Sequence, residues 1–205
     1  MVDNMRSKWM IKMFVVAACI FLYSLAYAAR VGPAVPFAAD YILLDYFGTG
    51  DEEIISSGKY YASPEGIRVE ELHLEDRVTM VVNFRKGMLW RVMESLQSYV
   101  GVSFDPQEPM TMEDDPFGGF AFGEPCPVQG AKPVRLGQES LHGRNVEKWL
   151  CEIPGEDTVT VWYDSRLQAV VRSEQDEYVF ELRNIKEGPL SSDLFAPPAG
   201  YSEMR

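Results

Sequence analysis

Short runs in which apolar and polar residues alternate are the feature that most constrains the fold of this chain. In "RVTMVVNF" every second residue is apolar, so a strand here would carry on one face Val78, Met80, Val82 and Phe84. A turn around Gly87 then leads into a second such run, "MLWRVMES". Two alternating runs joined by a glycine-containing turn predict a β-hairpin.

The same pattern recurs along most of the chain. Turn sequences such as "SPEG", "LHGRN", "PGED", "YDSR" and "EQDE" separate the runs, and little of the sequence has helical periodicity. The predicted strands lie near 37–47, 54–62, 67–74, 77–85, 88–95, 97–104, 133–140, 144–153, 157–164, 167–174 and 177–185. We therefore predict an all-β fold with little helix: an antiparallel meander of about ten strands. It curls into an open, strongly curved half-barrel, which leaves few strand edges bare.

One long segment, near 105–127, breaks this rhythm with proline, glycine and acidic residues: "DPQEPMTMEDDPFGGFAFGEPCP". Loops of this length in a compact domain are usually functional or disordered. Three aromatic residues make a purely disordered loop the less favoured interpretation: Phe117, Phe120 and Phe122.

The first 28 residues have the pattern of a secretory signal peptide. Three cations precede the apolar run Met13–Leu25, and "AYA" supplies the small residues before a cut after Ala28. Thirteen apolar residues are too few for a stable membrane span, which needs ~20. We expect residues 1–28 to be removed, leaving one periplasmic domain, 29–205, without a transmembrane anchor.

Cys19 offers an alternative, because "VAAC" resembles the site at which a bacterial lipoprotein is cut and lipidated. The mature chain would then begin with the apolar sequence "CIFLYSLAYA". The signal would also keep only residues 13–18 as its apolar core. Both features favour cleavage after Ala28.

Charge and length limit the classes of partner. The 177 residues that follow Ala28 suffice for one domain with a real core. Removing the signal peptide changes the formal net charge from −12 to −14. Such a charge repels nucleic acid and anionic lipid head groups, so no nucleic-acid partner is expected.

Two cysteines follow the signal peptide, Cys126 and Cys151. Export to an oxidising compartment favours a disulfide between them, and the alternative is two separate buried thiols. The loop that this bond closes would hold ~25 residues, a contribution of roughly 3 kcal/mol on the chain-entropy model.

The sequence offers little for metal or catalytic chemistry. "EELHLED" places Glu71, His73 and Glu75 on one strand face, but neighbours on one face stand ~7 Å apart, too far to share an ion readily. The acidic segment 112–116 lacks the spacing of a calcium loop, and His142 is typical of a turn residue. No nucleophile elbow, phosphate-binding glycine loop or C-x-x-C pair is present. We predict no catalytic residue, no metal, no cofactor and no enzymatic activity.

Apolar and aromatic side chains share one face in each of the later strands. In a curled sheet such a face can line a pocket for an acyl chain, and the alternative is an ordinary filled core. The candidate ligand-binding residues are Trp149, Ile153, Val159, Val161, Tyr163, Tyr178, Phe180 and Leu182.

Two segments carry a resemblance to a known group. The ending "YVFELRNIKEGPLSSDLFAPPAGY" (178–201) and the hairpin "VVNFRKGMLWRVMESLQSYVGV" (81–102) resemble the periplasmic lipoprotein carriers LolA and LolB. They are most similar to small secreted proteins of unknown function that end in F-x-x-P-x-G-Y. The carriers differ in opening with a long helix and in having helices over a cavity. Arg68 lies only in the general region of the carriers' cavity arginine.

The resemblance implies a LolA-like β domain that binds a hydrophobic small molecule, a lipid or a lipoprotein acyl chain on its concave face. An envelope protein is a further expected partner. The alternative is a protein-interaction or envelope-sensing module on the same scaffold, without a ligand cavity.

Overall fold

A computed structural model describes residues 32–45, 53–72, 77–105, 122–126, 130–155, 158–175 and 178–204. These ranges hold twelve strands and one 3₁₀ turn, Ser192–Phe195. The strands are β1 (Phe37–Asp45), β2 (Glu53–Ser63), β3 (Gly66–Leu72), β4 (Arg77–Asn83), β5 (Met88–Met93), β6 (Ser98–Ser103), β7 (Lys132–Leu141), β8 (Arg144–Glu152), β9 (Val159–Asp164), β10 (Ala169–Gln175), β11 (Tyr178–Glu187) and β12 (Ser202–Glu203). Each of the eleven segments predicted as a strand contains one of the strands β1 to β11, and the all-β prediction is confirmed. The described residues include no helix long and apolar enough to cross a membrane.

The strands form one open sheet in the order β12-β6-β5-β4-β3-β2-β1-β11-β10-β9-β8-β7. It consists of two antiparallel meanders, β1 to β6 and β7 to β11, joined where β1 pairs with β11. The predicted half-barrel is therefore confirmed. The expectation that each strand pairs with the next is wrong at one step, because β6 and β7 lie towards opposite edges of the sheet.

The main core cluster draws buried side chains from both meanders. Its centre is aromatic: the ring centroids of Tyr41 and Phe180 lie 6.1 Å apart, and those of Phe37 and Tyr60 lie 5.9 Å apart. Such pairs add about 0.5–1.5 kcal/mol to the free energy gained from burial. The cluster also includes Ile67, Val82, Val146, Trp162, Leu167, Ala169, Val171 and Leu182.

The C-terminal segment covers the other face of β4 and β5. Phe195 is buried there, and its carbonyl oxygen accepts a hydrogen bond of 2.9 Å from Asn83 Nδ2. Gly66 permits this close approach, since a Cβ atom at that position would lie 3.1 Å from the Phe195 ring and 2.1 Å from the Val82 carbonyl oxygen. Farther along, Tyr201 packs against the cluster of buried apolar side chains on β4 and β5.

Two features of this end of the fold depart from the sequence prediction. Alternation predicted one buried face for β4, yet Val81 and Thr79, on the opposite face, are also fully buried. The C-terminal segment packs against this second face. Alternation of apolar and polar residues along β4 indicates only one buried face. The chain then ends in β12, which pairs with β6 in parallel through Ser202 and Glu203. The sheet is thus not purely antiparallel.

Candidate functional site

A pocket of about 360 Å³ lies between the turn that joins β7 to β8 and the strands β10 and β11. We call it the hairpin pocket. Its apolar lining residues are Leu141, Val171, Leu182 and Ile185. Val171 and Leu182 belong to the main core cluster, and Leu141 and Ile185 pack against it. The pocket therefore opens directly onto the edge of the core.

The polar lining of the hairpin pocket comes from two tight local structures. His142 and Gly143 form a two-residue turn in which both residues have positive φ, 49° and 78°, a geometry typical of hairpins with the sheet's right-handed twist. The turn places His142 and Arg144 on one side of the pocket. On the other side stand Arg183 and Asn184, beside an irregularity in the pairing of β1 with β11.

Glu181, which does not line the pocket, joins these elements through its hydrogen bonds. Its side chain is 1% exposed, yet its oxygens accept bonds from Arg183 Nε at 2.5 Å and from Arg172. His142 Nε2 lies 2.8 Å from Glu181 Oε1. Burial alone raises the pKa of Glu181, but the hydrogen bonds from Arg183, His142 and Arg172 outweigh it and hold the pKa below its ordinary 4.5. The ionised carboxylate thus joins the hairpin turn to β10 and β11.

Arg144 fixes the other side of the turn through two carboxylates. Its Nε donates to Asp164 Oδ2 at 2.5 Å and its Nη2 donates to Glu187 Oε1 at 2.8 Å. Asp164 is buried, and Glu187 also pairs with Arg166 at 2.7 Å. Charge-assisted bonds of this kind are stronger than neutral ones, so the turn is held in one position against β9 and β11.

Trp162 is buried beside this network. Lys148 Nζ lies 4.4 Å and the Arg172 guanidinium carbon 5.0 Å from the centre of its ring, within the range of cation–π attraction. The indole N–H also bonds to Glu139 on β7. Arg172 therefore links the tryptophan to Glu181, so β7 to β11 share one continuous polar and aromatic network.

The eight residues predicted to bind a ligand are not brought to one place. Ile153, Val159, Val161 and Tyr163 form a second cluster, against which Trp149 packs. Phe180 and Leu182 are buried in the main core cluster, and Tyr178 is 51% exposed. Of the eight, Leu182 alone lines the hairpin pocket.

Strand register explains how the prediction and the packing differ. Trp149, Val161, Ser173 and Phe180 stand directly opposite one another in a row across β8, β9, β10 and β11. However, Trp162 lies in the main core cluster while its neighbour Val161 lies in the second. Because successive strand residues face opposite sides, β9 contributes to both. The pairing of β10 with β9 is irregular between Val170 and Arg172, so Val171 has no partner on β9.

The sequence pattern does not indicate the remaining pocket residues. "LHGRN" was correctly identified as a turn, and His142 as a turn residue. Its role beside a pocket depends on β11, 39 residues away along the chain. The only local indication of the site is that His142, Gly143 and Arg144, which all line the pocket, are consecutive in the sequence.

The second cluster is closed by a disulfide between Cys126 and Cys151, as expected. Their Cα atoms are 5.7 Å apart, and both residues are buried. The bond holds residues 122–126 against β8, and the hydroxyl of Tyr163 on β9 donates to the Gly123 carbonyl oxygen at 2.8 Å. The disulfide is placed to fasten this segment over the cluster.

Replacing both Cys126 and Cys151 with serine should lower the free energy of unfolding by roughly 3 kcal/mol, because the unfolded chain regains the entropy of a 25-residue loop. Urea denaturation of oxidised wild type and the double variant measures the difference. Reduced wild type should match the variant. Equal stability of oxidised and reduced wild type would contradict the prediction.

A second network of side-chain hydrogen bonds crosses β1, β2 and β3. Ser56 Oγ donates to Glu71 Oε1 at 2.7 Å, so the Tyr41 hydroxyl, 3.0 Å away, donates to Ser56. Burial raises the pKa of Tyr41 to about 12, which keeps the hydroxyl protonated. Glu71 therefore takes part in a hydrogen-bond network that links β2 to β3. The other two residues considered for zinc, His73 and Glu75, lie outside the described residues, as do segments 1–31 and 112–116.

Comparisons with known proteins support the fold group. No protein-family model and no curated protein matches the chain. An uncharacterised conserved protein from Thermus thermophilus aligns with a TM-score of 0.52 at 12% identity, over 84% of this chain and 91% of that one. MucB aligns with a TM-score of 0.52 at 12% identity, over 86% of this chain, which spans only 62% of MucB. A MucA/MucB complex from Pseudomonas aeruginosa aligns with a TM-score of 0.45 at 14% identity, over 88% of this chain and 61% of that one.

These likenesses are too distant in sequence to carry an activity across. They do bear out the group to which the C-terminal segment and the central hairpin pointed, since MucB has the LolA-like fold. The chain has the LolA-like fold.

Proposed function

We propose that this protein is a non-enzymatic component of the bacterial envelope that binds an amphipathic small molecule or lipid, and that the hairpin pocket is its binding site. The observation that carries the proposal is the composition of the pocket. Four apolar side chains continuous with the core form one part of the lining, and polar side chains form the rest. Its volume of about 360 Å³ falls within the range of small-molecule sites.

Export is part of the proposal and rests on the N-terminal pattern. We expect cleavage after Ala28 and a soluble periplasmic product. Intact-mass measurement of the protein from its own periplasm checks this expectation. A diacylated chain beginning at Cys19 would contradict it.

A protein-interaction module is the second candidate, and the edge strand β7 is the observation that favours it. Its exposed apolar side chains include Val134 (42%) and Leu136 (52%). MucB, whose fold this chain shares, forms a complex with MucA. Three features of β7 oppose strand addition, however: Lys132, Pro133 and the irregular pairing between Arg135 and Gly137. Lysine, proline and bulges are the devices that protect edges from pairing.

Titration with a fluorescent fatty-acid analogue tests the ligand-binding proposal. Wild type should bind the probe saturably. Ile185→Gln places a polar amide in the pocket lining and should weaken binding about tenfold, since it removes roughly 1–2 kcal/mol of apolar contact. Val134→Gln, on exposed β7, is the matched control and should bind like wild type.

Val161→Gln separates the hairpin pocket from the second cluster. Val161 is buried, and a polar amide there should cost roughly 1–3 kcal/mol of stability while leaving the affinity of the folded fraction unchanged. Thermal midpoints are measured alongside each titration. If wild type does not bind the probe saturably, the proposal is wrong. If Val161→Gln weakens binding and Ile185→Gln does not, the site lies at the second cluster.

A further inference from the structure

The hairpin pocket differs in charge from the rest of the protein. The whole chain carries 31 acidic residues against 19 Lys and Arg. Nine residues line the pocket, all within the described part of the chain, and none of them is Asp or Glu. The polar side chains among them are His142, Arg144, Arg183 and Asn184. All four can donate hydrogen bonds, and two of them are permanent cations.

None of the carboxylates that pair with these cations lines the pocket. The side chains of Glu181, Asp164 and Glu187 are 1%, 4% and 18% exposed, whereas those of Arg183 and His142 are 43% and 41% exposed. The buried carboxylates thus orient the donors without themselves facing the pocket.

Each of the two arginines has N–H groups that do not bond to these carboxylates. A guanidinium has five N–H groups. In the contacts of the described residues Arg183 uses Nε towards Glu181, and Arg144 uses Nε and Nη2. The Nη groups of Arg183 and Nη1 of Arg144 are therefore the groups that can meet a ligand.

We infer that the hairpin pocket selects amphiphiles with an anionic oxygen group, a carboxylate or a phosphate, whose apolar chain lies along Leu141, Val171 and Ile185. This inference rests on the proposed function and specifies its ligand class. Arginine suits such groups because its planar fork matches both carboxylate and phosphate.

Displacement of the fluorescent fatty-acid analogue by four unlabelled compounds tests the inference. The compounds are dodecanoate, dodecyl phosphate, the neutral dodecanol and inorganic phosphate. We expect the two anionic amphiphiles to displace the probe at concentrations about tenfold lower than dodecanol. Inorganic phosphate, which has no apolar chain, should displace it poorly. A preference for one anionic amphiphile over the other identifies which oxygen group the pocket favours.

Arg183→Gln should reduce this tenfold preference to about twofold or less. The matched control is Arg85→Gln, whose arginine is exposed, pairs with Glu65 at 3.1 Å and lies outside the pocket lining. The control should keep the full preference. If Arg183→Gln does not fold, the wild-type preference still tests the anion selectivity, and weaker binding of dodecanoate to Ile185→Gln than to wild type tests the assignment to this pocket.

Each outcome bears on a different claim. Equal displacement by dodecanol and dodecanoate would overturn the anion preference and leave the proposed ligand binding intact. An unchanged preference in folded Arg183→Gln would overturn the assignment to this pocket. If inorganic phosphate displaces the probe as effectively as dodecyl phosphate does, the ligand does not need an apolar chain, and the inference that it is an amphiphile is wrong. If the probe itself fails to bind, the proposed function fails.

Discussion

Replacing Phe195 with alanine is expected to lower the free energy of unfolding by about 3–5 kcal/mol. The Phe195 side chain is 1% exposed and lies against β3 and β4, where Gly66 leaves room for its ring. The substitution removes this contact and leaves a cavity beneath the 3₁₀ turn. Urea denaturation followed by circular dichroism measures the loss.

The same substitution should loosen the chain that follows the 3₁₀ turn. Tyr201 and β12 lie beyond Phe195 and cover β5 and the edge of β6. An uncovered edge strand promotes association, so size-exclusion chromatography should show more oligomer in the variant. Leu96→Ala is the control, because Leu96 is 62% exposed and its loss should change stability by no more than about 0.5 kcal/mol. A Phe195→Ala loss as small as that would contradict the anchoring role.

Replacing Glu181 with glutamine should cost about 3 kcal/mol, the low end of the range for breaking a buried ion pair. The substitution leaves Arg172 and Arg183 without their shared carboxylate. The cost stays at the low end because Arg183 is half-exposed and water partly solvates its charge. Glu152→Gln, at an exposed position on β8, is the control and should change stability little.

The contribution of Glu181 should also depend on pH. Its pKa in the folded protein lies below the ordinary 4.5, so the ionised carboxylate stabilises the fold fully above about pH 4.5. As the pH falls below that value and through the folded pKa, the carboxylate gains a proton and its contribution is lost. The difference in unfolding free energy between wild type and Glu181→Gln should therefore narrow between pH 6 and pH 3. A difference that is constant over this interval would contradict the ion-pair assignment.

Local sequence patterns were sufficient to predict β1 to β11 and the disulfide. Strands such as β4 and β5 are encoded in alternation and in the turn at Gly87, which depend on residues within a few positions of each other. The disulfide followed from the presence of just Cys126 and Cys151 after the signal pattern. The fold group followed from two segments whose order and residues are distinctive.

Local sequence patterns do not predict which distant strands pair or where the candidate site lies. The row that aligns Val161 with Phe180 was anticipated in part, but the two side chains belong to separate clusters. The hairpin pocket was not anticipated, because His142 meets Glu181 only after β7 to β11 have paired.

By itself the sequence determined where eleven of the twelve strands lie, since alternation and turn residues act over a few positions of the backbone. Only the tertiary structure decided that β1 pairs with β11, that β6 and β7 lie far apart, and that the C-terminal segment buries Val81. The physical reason is that any strand edge offers the same backbone hydrogen bonds. Which edges meet is set by the packing of the whole core. The same packing turns a two-residue loop at His142 and Gly143 into one side of a pocket.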